Sequence, residues 1–229
     1  ATSIFSLKEL VDNELKSLSQ VFIAKEQLER KDRETLIASF DEINQRIGSL
    51  EGKLTKYKKR LNEQRFKSLL DSLTKLPNRA AFDERYNHEL HLFNVQASDV
   101  TLVVIDVDHF KSINDRFGHT AGDITLQVIA KALQKSVRQS DFIARYGGEE
   151  FVLLMPGLSL LNAAQPLEKL RKVIKNIPFK FREKEIEITI SLGATQFKKG
   201  DTPLKAFDRA DDALYEAKKT GRDRLCMSK

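Results

Sequence analysis

The stretch Arg145-Tyr-Gly-Gly-Glu-Glu-Phe151 places two carboxylates directly after two glycines, and the apolar run FVLLM follows. It reads as a hairpin over Asp141 to Met155 with its turn at Gly147-Gly148, the acids lying just past the turn. The glycines permit positive φ and leave room for a bulky ligand against the backbone. Upstream, Asp106 and Asp108 close a β-branched strand, Asp99-Val-Thr-Leu-Val-Val-Ile-Asp106, and period-two geometry sets them on one face. If the hairpin pairs beside that strand, Asp106, Asp108, Glu149 and Glu150 approach one point. Unpaired acids crowded there would repel, and at least one would stay protonated. A divalent cation removes the problem. Oxygen donors without a His–Cys set suit Mg²⁺ or Mn²⁺ better than zinc. Two such ions can clamp the attacking and leaving oxygens of a phosphoryl transfer. Each piece alone has a plainer reading, a solvated hairpin tip or an ordinary strand-end acid; the combination points to chemistry.

Further residues lie where a nucleotide would need them. Lys111 and Asn114 follow the strand in HFKSIND, a lysine able to meet phosphate and an amide able to bond a base edge. Asp123 in GHTAGD suits the N–H edge of guanine, since an ionised carboxylate only accepts. Thr120-x-x-Asp123 also fits a capping box at a helix start. Lys218 and Arg222 flank the end of a later helix, where positive charge is favourable without any ligand.

The elements that must position these groups fall into two parts. Residues 1 to about 70 contain no proline and only Gly48 and Gly52. Leu36, Phe40, Ile43, Ile47, Leu50, Leu54, Tyr57 and Leu61 alternate in steps of 4 and 3, the pattern of a coiled-coil seam. Ile4, Leu7, Val11, Leu18, Val21 and Leu28 follow the same spacing in another phase, with extra apolar residues beside them. The seam therefore slips, or the helix breaks, near residues 29–35. We expect a helical dimerisation and signalling segment over 1–65, a coiled coil or small bundle that makes a homodimer or higher oligomer. Over 66–229 helices and strands alternate around the hairpin. Helices are expected over Ala121 to Val137, Gln165 to Ile177 and from Pro203 to the stop at Gly221, with a strand over Glu185 to Phe197. That describes an α/β sandwich on a mixed or antiparallel sheet. The chain has 229 residues, 41% of them hydrophobic, and a net charge of +6, its lysines interspersed with acids. A basic balance favours polyanions in general, but here solvated helix faces account for it. The single cysteine, Cys226, excludes an internal disulfide and fits a reducing cytoplasm. No apolar run reaches membrane-spanning length. The chain begins ATSIF without Met and is expected to be the soluble part of a longer protein, in the cytoplasm.

RYGGEEF, with IDVDHFKSINDRFGHTAGD before it, resembles the GGDEF domain of diguanylate cyclases. So do Asp71-Ser-Leu-Thr-Lys-Leu-Pro-Asn-Arg79 and ADDALYEAKKTGRDR, and the resemblance covers about residues 68–228. It implies the nucleotide-cyclase-like central sheet of that family. It implies condensation of two GTP into cyclic di-3′,5′-GMP with release of two pyrophosphates, each domain holding one GTP. It implies that Asp106, the Val107 carbonyl, Glu149 and Glu150 hold two Mg²⁺ or Mn²⁺ ions per active site. Glu149 is implied to accept the 3′-hydroxyl proton, and Lys111 to act with Lys218 and Arg222 on the phosphates. Asn114 and Asp123 are implied to read guanine, with His119 in the same loop. Arg138-Gln-Ser-Asp141 matches the family's RxxD product-inhibition site, which Lys169 and Arg171 would complete from the next helix. Two departures stand out: the signature is GGEEF rather than GGDEF, and His109 replaces a usual aromatic or aliphatic residue.

Two other readings compete. A catalytically silent receptor or scaffold for c-di-GMP or GTP would be expected to carry a degenerate signature, and this one is intact. A polymerase-like domain would need a template channel, and nothing here resembles one, so no nucleic-acid partner is expected. The expected partners are GTP, c-di-GMP, a second copy, and a protein regulator of the helical segment.

Overall fold

The computed structural model describes residues 2–96, 98–182 and 184–228, without the side chains of 2–8, 12, 62, 63 and 66, so Ile4 and Leu7 lie outside the described side chains. The elements in chain order are α1 (Thr2–Ser68), α2 (Arg79–Gln96), β1 (Val100–Val107), α3 (Phe110–Phe117), α4 (His119–Ser136), β2 (Phe142–Gly147), β3 (Glu150–Pro156), α5 (Leu160–Lys175), β4 (Lys180–Phe181), β5 (Lys184–Glu185), β6 (Ile190–Gln196), α6 (Pro203–Lys219) and β7 (Leu225–Ser228). They form two compact units, 1–64 and 65–229.

The first unit lies within α1, which runs without a break through the charged run near residue 30. The seam thus changes phase inside one continuous helix. Its apolar side chains face solvent, Phe40 at 58% and Ile47 at 49% exposure among them. Ion pairs such as Arg46–Glu42 and Arg30–Glu34 join successive turns, but exposed pairs of this kind contribute only a few tenths of a kcal/mol each, about 0.3–0.5. Helices gain most of their stability from packing an apolar face rather than from intrinsic propensity.

The second unit is built on a five-stranded sheet of order β2-β3-β1-β6-β7. β1 runs antiparallel to both β3 and β6, and β6 runs parallel to β7. The alternation of β1 divides the core. Val103, Ile105 and Val107 pack with residues of α3, α4 and α5 such as Ile113, Ile129 and Leu167. Val100, Leu102 and Val104 pack on the other face with Phe82 and Tyr86 of α2 and Ala210 and Leu214 of α6. On β6, Gly193 lets α6 press against the strand backbone. A Cβ there would lie 2.2 Å from both the Ala210 carbonyl oxygen and the Leu214 nitrogen.

Several boundaries differ from those read in the sequence. α4 begins at His119 with Gly118 as its cap, and no side chain caps it, so Thr120 and Asp123 form no capping box. α5 begins five residues before Gln165: Ser159 caps it by accepting from the Asn162 nitrogen, and Pro166 lies inside rather than in the first turn. The strand expected over Glu185 to Phe197 is β6, which begins at Ile190, with Glu185 in the separate β4–β5 pair; α2, α3, β4 and β7 were not anticipated as elements.

Candidate active site

Asp106 is the next residue on the β1 face that carries Leu102 and Val104, so it points toward α6. There Lys218, in the last turn of α6, meets it at 2.8 Å. The β1–β3 register sets Glu150 directly opposite Asp106, and the Val107 nitrogen donates to the Glu149 carbonyl oxygen at 3.3 Å. The hairpin does pair beside the first strand, and the pairing itself gathers the acids. Burial pushes Asp106 above the usual carboxylate range, with Lys218 opposing. Burial raises Glu149 and Glu150 too, and the charge of Asp106 adds to both shifts.

Asp108 does not join them as a free ligand. The strand ends at Val107, and the buried Asp108 carboxylate accepts from Thr189 Oγ1 at 2.8 Å, Ser191 Oγ at 2.7 Å and the Asp223 nitrogen at 3.0 Å. Three donors engage it, and it ties β1 to β6 and to the turn after α6. The period-two expectation failed because Asp108 stands one residue beyond the strand.

The hairpin tip is held from outside. Gly148 takes a φ of +25°, and the β2–β3 register shifts between Arg145 and Gly147. Arg145 donates to the Gly148 carbonyl through Nε at 3.1 Å and Nη2 at 2.7 Å, and through Nη1 to Asp71 Oδ1 at 3.0 Å. Asp71 also accepts from the Thr74 nitrogen and hydroxyl. Burial alone would raise its carboxyl, but the bonds from Thr74 and Arg145 bring it below the ordinary value. Arg145 and Asp71 were legible only as letters of two motifs; their contact joins the motifs across the fold.

The expected nucleotide contacts lie along α3, α4 and α6. Lys111 is exposed in the first turn of α3, and helix N-termini favour phosphate. Asn114 packs against α4: a Cβ on Gly122 would lie 2.0 Å from Asn114 Oδ1. Asp123, the residue after Gly122, and His119, at the start of α4, are both exposed. Arg222 lies in the turn after α6, where its charge acts on Asp106.

Arg138 and Asp141 form a closed turn. The Arg138 nitrogen donates to Asp141 Oδ2 at 2.9 Å, and the Asp141 nitrogen donates to the Arg138 carbonyl at 3.1 Å. Both residues line a cavity of about 50 Å³ against Pro166, Leu167 and Leu170 of α5. Arg171, expected to complete a site there, is engaged elsewhere. It is paired with Glu168 and Asp223, and its side chain is 15% exposed. Lys169 is exposed.

Among the described residues no three Asp, Glu, His or Cys side chains form a ready-made metal cage. The donor set nevertheless fits Mg²⁺, which is usually held by one or two carboxylates and substrate phosphates rather than by an all-protein shell. Two raised glutamates beside a buried aspartate are the acids whose repulsion a cation would relieve.

The sheet, the acid cluster and the glycine hairpin define a class. The chain belongs to the GGDEF family: residues 68–224 match its model, described as diguanylate cyclase, GGDEF domain. Among relatives, diguanylate cyclase DgcP of Pseudomonas aeruginosa is 43% identical over 225 residues, covering 98% of this chain and 34% of its own length. The chain therefore spans about a third of that relative. Among solved structures, the coiled coil and GGDEF domain of DgcB from Caulobacter crescentus, in complex with c-di-GMP, matches with a TM-score of 0.75 at 30% identity. It covers 81% of this chain and 98% of its own. Diguanylate cyclase SiaD of P. aeruginosa, in complex with its activator SiaC, matches with a TM-score of 0.70 at 30% identity, covering 97% of this chain and 86% of its own.

Proposed function

We propose that this chain is a diguanylate cyclase that condenses two GTP into cyclic di-GMP. The observation that carries the reading is the β1–β3 register, which sets Glu150, just past the glycine turn, opposite Asp106, itself paired with Lys218. Family membership and the DgcP relationship support it.

Asp106, the Val107 carbonyl, Glu149 and Glu150 would hold the two Mg²⁺ or Mn²⁺ ions, which when bound neutralise charge on the transferring phosphoryl group. In each of two steps the 3′-oxygen of one GTP bonds to the α-phosphorus of the other, and pyrophosphate leaves. Glu149 accepts the 3′-hydroxyl proton, and its raised basicity suits a general base. Lys111, Lys218 and Arg222 hold phosphates. Asn114 and Asp123 read the guanine edge, with His119 beside them.

Each domain carries one GTP, so two must face each other. The exposed seam of α1 is the feature that would hold two copies together, raising the effective concentration of one domain near the other. SiaD was solved with an activator protein, which supports a protein regulator here. The Arg138–Asp141 turn, lining a cavity with α5, is the product-inhibition site; DgcB, solved with c-di-GMP, supports product binding. Arg138→Ala should raise the final yield of product, and unchanged inhibition would leave the turn a structural role only. The proposed location is the cytoplasm.

The test is incubation with GTP and Mg²⁺ at several protein concentrations, with nucleotides separated by chromatography and identified by mass. Cyclic di-GMP is expected. Its absence after bound product has been stripped with a phosphodiesterase would overturn the activity and leave a nucleotide-binding scaffold.

A further inference from the structure

The turn after α6 is unusually constrained. Gly221, Arg222 and Asp223 all have positive φ, at 123°, 62° and 45°. Glycine adopts this region freely and aspartate tolerates it, but arginine does not favour it. Two successive non-glycine residues persist there only when their surroundings over-determine them.

The surroundings do so group by group. The Arg222 nitrogen donates to the Ala217 carbonyl at 2.9 Å, and its carbonyl accepts from Arg224 Nε at 3.0 Å. The Asp223 nitrogen donates to the buried carboxylate of Asp108. The Arg224 carbonyl accepts from the Leu192 nitrogen of β6 at 2.9 Å. The Asp223 side chain turns the other way, to α5, where it accepts from Arg171 Nη1 and from Lys175 Nζ at 2.6 Å. The Asp223 carboxyl lies below its ordinary value: burial alone would raise it, but the bonds from Lys175 and Arg171 more than offset that. Nothing in the phosphate chemistry uses Asp223, Arg171 or Lys175. Arg171 in turn holds Glu168, so the anchor belongs to α5 and not to the turn.

We propose that Asp223, clamped by Arg171 and Lys175, is a positioning residue that sets the strained turn and so aims Arg222 at the phosphates of GTP. This rests on the nucleotide reading above. In this reading Asp223 acts through Arg222 and not by its own contact with the substrate. The strain at Arg222 gives the clamp its purpose: without it, the turn would relax toward ordinary φ and carry the guanidinium away.

The experiment is a double-mutant cycle on the full chain with Arg222→Ala, Asp223→Gly and the pair, reading KM for GTP, kcat, and the Kd of a fluorescent GTP analogue. Asp223→Gly keeps the left-handed backbone accessible and removes the anchor, while also freeing the backbone, for which Asp223→Asn is the control. Asp223→Asn keeps one acceptor and the same shape. Asp223→Gly should raise KM and Kd about tenfold, the scale of one charge-assisted hydrogen bond. Asp223→Asn should fall between it and the wild type, and the double variant should be no worse than Arg222→Ala alone. A merely structural role would lower the melting temperature and leave the cycle additive. Additive losses, or an unchanged KM and Kd in Asp223→Gly, overturn the proposal. Should the wild type bind GTP without turning it over, the catalytic reading falls while the cycle, run on Kd, still decides the role of Asp223. Should the wild type not bind GTP, both fall.

Discussion

Arg145→Ala is the perturbation that most directly asks whether the signature turn is held from outside. The side chain is 15% exposed and makes three polar contacts, two to the Gly148 carbonyl and one to Asp71. Truncation leaves the Gly148 carbonyl without the guanidinium and Asp71 with Thr74 alone. Bonds to charged groups contribute roughly 1.5–3 kcal/mol, and these share one guanidinium, so the loss is about 3 kcal/mol. For a domain of this size that is a fall of about 6–12 °C in melting temperature. Turnover should fall with it, because the turn carries Glu149 and Glu150. Asp71→Asn keeps an oxygen that can accept from Arg145 or Thr74 and loses only the charge, so it should cost about 1 kcal/mol. The pH dependence has a definite sign. The folded-state pKa of Asp71 is depressed, so its contribution is present above the unfolded value near 3.8 and is lost as pH falls through the folded value. The gap between wild type and Asp71→Asn should be constant at neutral pH and close in acid. Thermal denaturation from pH 7 downward reads all of this. An Arg145→Ala melting point within 2 °C or so of wild type would refute the reasoning, as would an Asp71→Asn variant as damaged as Arg145→Ala.

Other consequences follow from the same geometry. Glu149→Gln should abolish c-di-GMP formation yet melt at or above the wild-type temperature in metal-free buffer at pH 7. Its raised folded pKa makes the charged form a cost that disappears as pH falls, so the advantage should shrink in acid; a destabilised variant at neutral pH would contradict this. Gly193→Ala should destabilise by more than about 3 kcal/mol, since the new methyl meets backbone of α6 that cannot rotate away; a calorimetric change under 1 kcal/mol or so would mean α6 shifts freely. Ile43→Asp with Ile47→Asp should convert the chain to monomers in sedimentation and make product formation depend steeply on protein concentration. A variant that sediments like wild type would remove the seam from assembly.

Much of the frame was legible because its signals are local. The β-branched run gave β1, the glycine pair gave the hairpin turn, and proline and glycine bracketed α6. The acids were legible through spacing, since Asp106 and Glu150 each lie at the edge of a strand. What escaped depends on partners distant in sequence. Asp108 looked like Asp106, and only Thr189, Ser191 and Asp223 make it structural. Arg171 looked like a free cation, and only Asp223 shows it committed. α2 hid because its buried stripe includes Glu89, paired with Arg85 at 2.7 Å, which breaks the apolar pattern. β7 is a four-residue edge strand and too short to announce itself.

The three bonds to Asp108 also close very long loops. Its partners stand 81, 83 and 115 residues away along the chain. Closing such loops costs more chain entropy than closing local turns, so these bonds are expected to form after the local ones. The helices and the β2–β3 hairpin can appear early from local signals, but the Arg222 turn acquires its shape only once β1, β6 and α5 are assembled around it. During synthesis the acids of the hairpin are made well before the turn after α6, and a chain halted short of Asp223 carries the signature hairpin without that turn's backbone bond to Asp108.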